Sequence, residues 1–444
     1  TVTIREQKIT AESPNSINNQ TYGGKITDMK VTGIIAEYNP FHKGHEYQIK
    51  KARELTDADY VIVVMSGDFT QRGAPALLDK YTRARMALAC GADLVLELPV
   101  RYACASAEFF AGGAVSVLDG LGIVDYLCFG SESGDTEKIA ASAHALLSAE
   151  KDDEYRRRIR QNQKEGLSYP AARAKALNLS DETDAQYWTL PNNILGIEYC
   201  KALTLSQSKI RPLTILRQGS AYHEENLPAA HCSQESFSSA TAIRKALLEG
   251  TGFHTVKASL PEQTWLIWET HLNQQGLLSE QDFSLLIHYR LLMEAQNGYQ
   301  KYADITPDLS DKLKKNLNNY TDWKSFCQLL NTKDLTYARA SRCLTHILLN
   351  LTQENQDAGK STRFPSYARP LAFTKKAVPL LNAIKNNTQI PYLPKLSAAS
   401  PLLTPFTTQM LQEDIQASHI YQTVLCQKYH IPFTNEYQRQ LPIT

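Results

Sequence analysis

The chain has little that would hold it by covalent cross-links. Its eight cysteines, Cys90, Cys104, Cys128, Cys200, Cys232, Cys327, Cys343 and Cys426, are scattered singly, and no two form a CxxC pair. That spacing argues against a structural zinc site and against a dense disulfide scaffold. Several lie inside apolar runs, as Cys128 does in DYLCFG, the pattern of buried free thiols in a reducing cytosol. No apolar run reaches the roughly 18 residues that a membrane span needs. An excess of one charge is missing too: 47 Lys and Arg face 46 Asp and Glu, a formal net charge of +1. A nucleic-acid partner would therefore need a local basic patch, because the chain as a whole is not basic. There is no fixed-period repeat and no low-complexity tract. The first 28 residues are polar and lack the apolar core of a secretory signal; Met29 reads as a start, and 1–28 as an extension expected to be poorly ordered.

What is present is an alternation. Short β-branched runs at 30–38, 60–67, 93–99, 124–135 and 209–219 read as strands. Helical patterns stand between them, starting from about His45 and covering 79–91, 106–122, 136–165 and 191–203, with a further one at 238–250. Strands separated by helices of this length imply right-handed βαβ crossovers, hence an α/β domain with a parallel sheet. After about residue 250 the pattern becomes a series of amphipathic helices, which reads as a mostly α-helical C-terminal domain.

In such sheets ligands bind beyond the carboxyl ends of the strands. The segments found there are NPFHKGH, SGDFTQRG, FGSESGD and RQGSAYH. The first places His42 and His45 three apart, with Gly44 between them, where a strand ends and a helix begins. Helix N–H groups and two imidazole donors suit a triphosphate whose charge shifts during attack at the α-phosphorus. The bland alternative is a helix-capping His42 and a half-exposed His45; a metal pair lacks a third ligand. In SSATAIR, Ser238 or Ser239 can cap a helix while Thr241 and Arg244 grip phosphate, or the serine is an ordinary cap and the arginine faces solvent. In SGDFTQRG, Ser66, Asp68, Gln71 and Arg72 are candidates to orient a small acid or an amine, although Asp68 also suits a turn cap. Lys80 could reach phosphate or could lie on a helix surface.

HxGH after the first strand and SSxTxIR after the last resemble the signature pair of the HIGH-type nucleotidyltransferase superfamily. GIIAEYNPFHKGHEYQIKKA, MSGDFTQRGAPALLDKYTRARMALACGADLVLELP, SAEFFAGGAV, FGSE, PNNILGIEY and SATAIRKAL together resemble the bacterial tRNA(Met) cytidine acetate ligase family. The resemblance covers most of 29–250 and continues more loosely through TYARASRCLTHILL and YARPLAF. It implies a Rossmann-like nucleotidyltransferase catalytic domain over 29–250 and a helical, tRNA-binding region over 251–444. It implies an enzyme that joins ATP and acetate into acetyl-adenylate, releases pyrophosphate, and passes the acetyl group to the exocyclic amine of the wobble cytidine of elongator tRNA(Met). The nucleotide contacts it implies are Ile35, Ala36, Glu37, Tyr38, Asn39, Pro40, Phe41, His42, Lys43, Gly44, His45, Glu46, Tyr47 and Gln48, with Gly130, Asn192 and Arg217. His42, His45, Ser239 and Arg244 are the expected catalytic set. Magnesium is expected to accompany the triphosphate, held mainly by phosphate because no carboxylate cage is visible.

For the RNA the candidate basic groups are Arg156, Arg157, Arg158 and Arg160; Lys312, Lys314 and Lys315; Arg339 and Arg342; and Lys375 with Lys376. Tyr337, beside Arg339 and Arg342, could add a stacking contact. Each cluster could equally be a solvated helix face. The expected setting is the cytoplasm. Two other readings stay open: a small-molecule adenylyltransferase of the same superfamily, and an RNA-binding module with a vestigial nucleotide site.

Overall fold

The computed structural model describes residues 29–167, 169–177, 186–217, 238–250, 253–332 and 335–444. The 1–28 extension, Cys232 and the part of RQGSAYH after Arg217 lie outside these residues. Among the described residues six strands form one sheet: β1 (Val31–Ala36), β2 (Tyr60–Ser66), β3 (Leu94–Leu98), β4 (Tyr126–Ser131), β5 (Arg211–Leu216) and β6 (Pro370–Phe373). Their order is β5-β4-β1-β2-β3-β6, with β1 to β5 parallel and β6 antiparallel to β3. β1 pairs with β2 on one side and β4 on the other, so the strand order reverses at β1. A crevice opens at such a reversal, beyond the carboxyl ends of the strands.

The strands are apolar on both faces because both are covered. On one face Ile34, Val61, Val63, Met65 and Val95 pack under α1 (Lys43–Thr56), α2 (Lys80–Ala89) and the helix Ala240–Leu248. On the other, Ile35, Ile62, Val64, Leu94 and Leu96 meet the helices Ala107–Gly120, Thr136–Ala149 and Pro191–Leu205. Gly33 lets that second layer close down, since a Cβ there would sit 2.8 Å from Leu118 Cδ1. The charged stretch 136–165 divides into Thr136–Ala149 and Asp153–Lys164, each capped by its own aspartate, Asp135 and Asp152.

The helices after residue 250 build a third core around Phe283, Trp323, Phe326, Leu344 and Tyr421, into which Phe69, Val100 and Cys104 reach from the sheet side. The helix Pro405–Tyr429 packs against the short helix Val100–Ala103. One stretch departs from the helical expectation: Pro370–Phe373 returns to the sheet as β6. Its apolar run is four residues long and too short to announce itself, and it holds an edge position, where Pro370 is tolerated. All the described cysteines are free, and all but the partly covered Cys426 are buried. No helix is long and apolar enough to cross a membrane among the described residues.

Candidate active site

The loop after β1 is built by its own histidines. His42 is the N-cap of α1, and its Nδ1 accepts the Gly44 N–H at 3.1 Å. His45, three residues on, accepts the His42 N–H on its own Nδ1 at 3.3 Å. This is a capping box in which imidazoles replace the usual Ser and Glu. The two rings stack with centroids 3.8 Å apart; Tyr38 packs edgewise on His45, and Phe41 lies tilted against it. Because each Nδ1 accepts a backbone N–H, each neutral ring carries its proton on Nε2 and becomes a donor there. Burial, with Arg217 and Arg244 nearby, pushes His42 down to about 3. Burial, then His42 and Arg217, hold His45 well below its ordinary value. Both imidazoles are therefore neutral N–H donors at physiological pH. The capping reading and the functional reading of this motif are the same structure: Nδ1 closes the helix and Nε2 is kept for something else. One expectation changes. The first-turn N–H groups of Gly44, His45 and Glu46 all bond back to His42, so the rings replace the backbone as the donors on offer.

A cavity of about 1000 Å³ lies against this turn. Of the expected residues, Ile35, Ala36, Glu37, Tyr38, Asn39, His42, Gly44, His45, Tyr47, Gln48, Gly130, Asn192, Arg217, Ser239, Thr241 and Arg244 line it. Pro40 and Phe41 turn inward to the core instead, Lys43 faces solvent, and Glu46 pairs with Lys50 at 2.7 Å. The second half of the motif closes directly on the first. Ser239 caps its helix by accepting the Ala242 N–H, while Ser238, which also lines the cavity, bonds its hydroxyl to that of Ser259. Arg244 donates to the Asn39 carbonyl at 2.5 Å and to Thr241 Oγ1 at 3.1 Å. SSATAIR and EYNPFHKGH, some 200 residues apart in the chain (|i−j| = 205 for that bond), thus meet through one guanidinium.

The third corner interlocks FGSE with PNN. Glu132 accepts the Asn192 side-chain amide at 2.6 Å and the backbone N–H groups of Asn192 and Asn193, capping the helix Pro191–Leu205. Asn193 answers by accepting the Glu132 and Ser133 N–H groups. Asn192 Oδ1 is left to receive Arg217 Nη1 at 3.2 Å. Gly130 clears the space for that arginine, since a Cβ there would stand 3.3 Å from Arg217 Cγ. Sequence reasoning missed Glu132; its signal was a carboxylate one residue past a strand, opposite a helix start with no Ser, Thr or Asp cap. It also missed Arg83, fully buried, which donates to the carbonyls of Glu37, Ser66 and Gly67 and so ties the ends of β1 and β2 together.

SGDFTQRG splits. Gln71 and Arg72 line the cavity, and the Gln71 N–H is held by Glu37 Oε1 at 2.6 Å. Ser66 and Asp68 are buried behind it; Asp68 Oδ1 accepts the Lys80 N–H, which is the turn-capping alternative. Lys80 neither lines the cavity nor lies on the surface. It is fully buried, with Glu97 at 2.8 Å and Glu436 at 3.0 Å, because two carboxylates from β3 and the C-terminal segment need a counter-ion. The far wall comes from the C-terminal helices and includes Leu278, Glu280, Lys324, Tyr337 and Ser341. Of the basic clusters, Arg339 and Arg342 both pair with Asp304, Arg156 with Asp153, Arg157 with Glu154, and Lys376 with Asp93. Lys312 donates to the Leu330 carbonyl. Among the described residues no group of three or more His, Cys, Asp or Glu could hold a metal ion.

A parallel sheet with its order reversing at β1, and an HxGH helix start and an arginine-bearing second motif sharing one crevice, define a HIGH-type nucleotidyltransferase. Residues 29–435 match the family described as HIGH Nucleotidyl Transferase. The chain belongs to the tRNA(Met) cytidine acetate ligases, a family of ligase enzymes within that class. It is 37% identical to the tRNA(Met) cytidine acetate ligase of Acetivibrio thermocellus over 407 residues, covering 90% of this chain and 96% of the relative. It is 38% identical to that of Caldanaerobacter subterraneus over 396 residues, covering 88% and 95%. Two crystal structures of Thermotoga maritima TmcAL superpose on it at 31% identity, each covering 94% of this chain and 99% of the other. The apo form gives a TM-score of 0.86 and the form bound with alpha-thio ATP one of 0.83.

Proposed function

We propose that the chain is an ATP-dependent tRNA(Met) cytidine acetate ligase whose ATP lies in the cavity at the β1 turn. The observation that carries this reading is the neutral histidine pair, with its Nδ1 atoms committed to the helix, sharing one cavity with Arg217 and Arg244. Acetate oxygen attacks the α-phosphorus, a P–O bond forms, the bond to pyrophosphate breaks, and acetyl-adenylate results. His42 and His45 donate Nε2–H bonds to phosphate oxygens as charge moves toward the leaving pyrophosphate; Arg217, Arg244 and the Ser239 helix start add fixed positive potential. The wobble cytidine amine of elongator tRNA(Met) then attacks the acyl carbon. The C–N bond forms, the acyl C–O bond to phosphate breaks, AMP leaves, and the amine proton passes to solvent, giving N4-acetylcytidine. The base must be turned out of its stack to reach the cavity. The described residues do not fit a resident magnesium site, so the magnesium of this proposal is that of the ATP complex, held by phosphate oxygens. The region 251–444 supplies the RNA surface, and the expected setting is the cytoplasm.

The test is incubation with ATP, labelled acetate and an elongator tRNA(Met) transcript, with label expected in RNA as acetylcytidine. Acetate-independent transfer of AMP to a phosphorylated small molecule, with release of pyrophosphate, would point to an adenylyltransferase instead. Retained RNA binding without turnover would mean a vestigial site.

A further inference from the structure

The cavity has two walls, and only one has been given work. The strand-end wall holds the groups suited to phosphate. The opposite wall is a face of the helix Tyr337–Leu349, with Tyr337, Ala338 and Ser341 toward the cavity. The turn after β2 joins the two. Its Gln71 N–H is held by Glu37 on the histidine loop at 2.6 Å, and its Gly73 carbonyl accepts Ser341 Oγ at 2.5 Å. Gly73, at φ 70, lets this contact close: a Cβ there would be 2.2 Å from the Arg342 backbone nitrogen. Tyr337 lies one helical turn, about 6 Å, before Ser341 on the same face. Glu280, a second cavity-lining residue, lies near the Tyr337 phenol. Burial pushes the phenol upward, so the ring stays neutral. A half-buried aromatic ring presented to the cavity proposed for the nucleotide is suited to a second planar group.

We propose that Tyr337 is the stacking platform for the base that receives the acyl group. The occupant is a single extruded pyrimidine of an RNA loop. Stacking reads the base face and leaves its exocyclic amine free to approach the acyl carbon at the strand-end wall. Arg339 and Arg342, on the same helix, do not line the cavity and pair with Asp304.

This inference rests on the ligase reading, and the two half-reactions separate them. Acetate-dependent ATP–pyrophosphate exchange needs no RNA; absence of exchange in the parent protein overturns the ligase reading itself. With exchange present, Tyr337→Ala is expected to keep it within about twofold, which also reports that the variant is folded. The same variant is expected to lose on the order of 10- to 100-fold in kcat/KM for the tRNA transcript. Tyr337→Phe keeps the ring and is expected to stay within about threefold on both. An anticodon stem-loop with the acceptor cytidine should bind the parent more tightly than its abasic counterpart, and Tyr337→Ala should erase that difference. Unchanged acetyl transfer by Tyr337→Ala, an equal loss of exchange, or an intact preference for the cytidine loop would each overturn the assignment.

Discussion

The histidine pair after β1 and the Lys80 cluster behind β3 are two buried polar groupings about which the sequence offered similar hints. They are built on opposite logic. Lys80, Glu97, Arg369 and Glu436 are nearly fully buried and form ion pairs with one another: Arg369 lies 2.7 Å from Glu97 and 2.5 Å from Glu436, while Lys80 bridges the same two carboxylates. Burial pushes the Glu436 carboxyl up, but Lys80 and Arg369 outweigh it and hold it at about 2. Burial also opposes the Lys80 ammonium, and Glu436 and Glu97 more than offset this. The histidines are neutral, and half of their hydrogen-bonding capacity is spent on the helix start. The charge cluster is paired internally and lies away from the cavity; the half-spent neutral pair lies beside it.

The largest expected effect falls on the cluster. Lys80→Met leaves two buried carboxylates short of a counter-ion and should cost about 3–5 kcal/mol of unfolding free energy in a denaturant titration. If the cluster is purely structural, the remaining folded enzyme keeps its KM for ATP. A change in that KM would erase the contrast drawn above.

Next is His45→Ala. Losing one transition-state donor should lower acetate-dependent pyrophosphate exchange by about 10²–10³-fold, with tRNA affinity nearly intact. The capping bond lost with it should cost about 1 kcal/mol of stability. A variant that forms adenylate at the parent rate would sink the role given to this ring.

A milder loss is expected for Glu132→Gln, which weakens the hold on Asn192 and so on Arg217. Losing a charge-assisted bond is worth about 1–2 kcal/mol, which predicts a rise in KM for ATP of roughly 5- to 30-fold with kcat little changed. Glu132→Asp should recover part of it. A fall in kcat at constant KM would place Glu132 in the chemical step instead.

The last effect is in pH and accumulates over several pH units. His42 sits at about 3 when folded against 6.5 when unfolded. The unfolded chain therefore binds the extra proton in this window, and stability falls as pH drops below 6.5, by up to about 1.4 kcal/mol per pH unit for this group. Comparing the parent with His42→Gln should show the flatter slope in the variant; identical slopes would mean His42 is charged in the folded protein.

The corner of the cavity at the β1 turn was legible because its signals are local. HxGH at a strand-to-helix boundary needs only the chain direction and the helix period to place two imidazoles on one turn. SSATAIR likewise carries its own cap. Lys80 was not legible, because its partners are 17 and 356 residues away and no local pattern distinguishes a buried lysine from a surface one. Glu132 was obscured for the same reason: its partners stand about 60 residues on, at a helix start whose missing cap was the one available sign. The strand Pro370–Phe373 failed as a signal because four apolar residues fit a strand or a helix turn equally.

By itself the sequence determined the α/β order of the first 250 residues, the crevice at the carboxyl ends of the strands, and the two motifs that flank it. Those follow from periodicity and capping, which act over a few residues. Tertiary structure decided which donors remain: that the histidine Nδ1 atoms are used up, that Arg244 bonds the first-strand loop, and that Asn192 hands Arg217 to the cavity. It also decided that a tyrosine from the helical half forms the opposite wall. Each of these joins groups far apart in the chain, and only the packed fold brings them within hydrogen-bonding distance or around a common cavity.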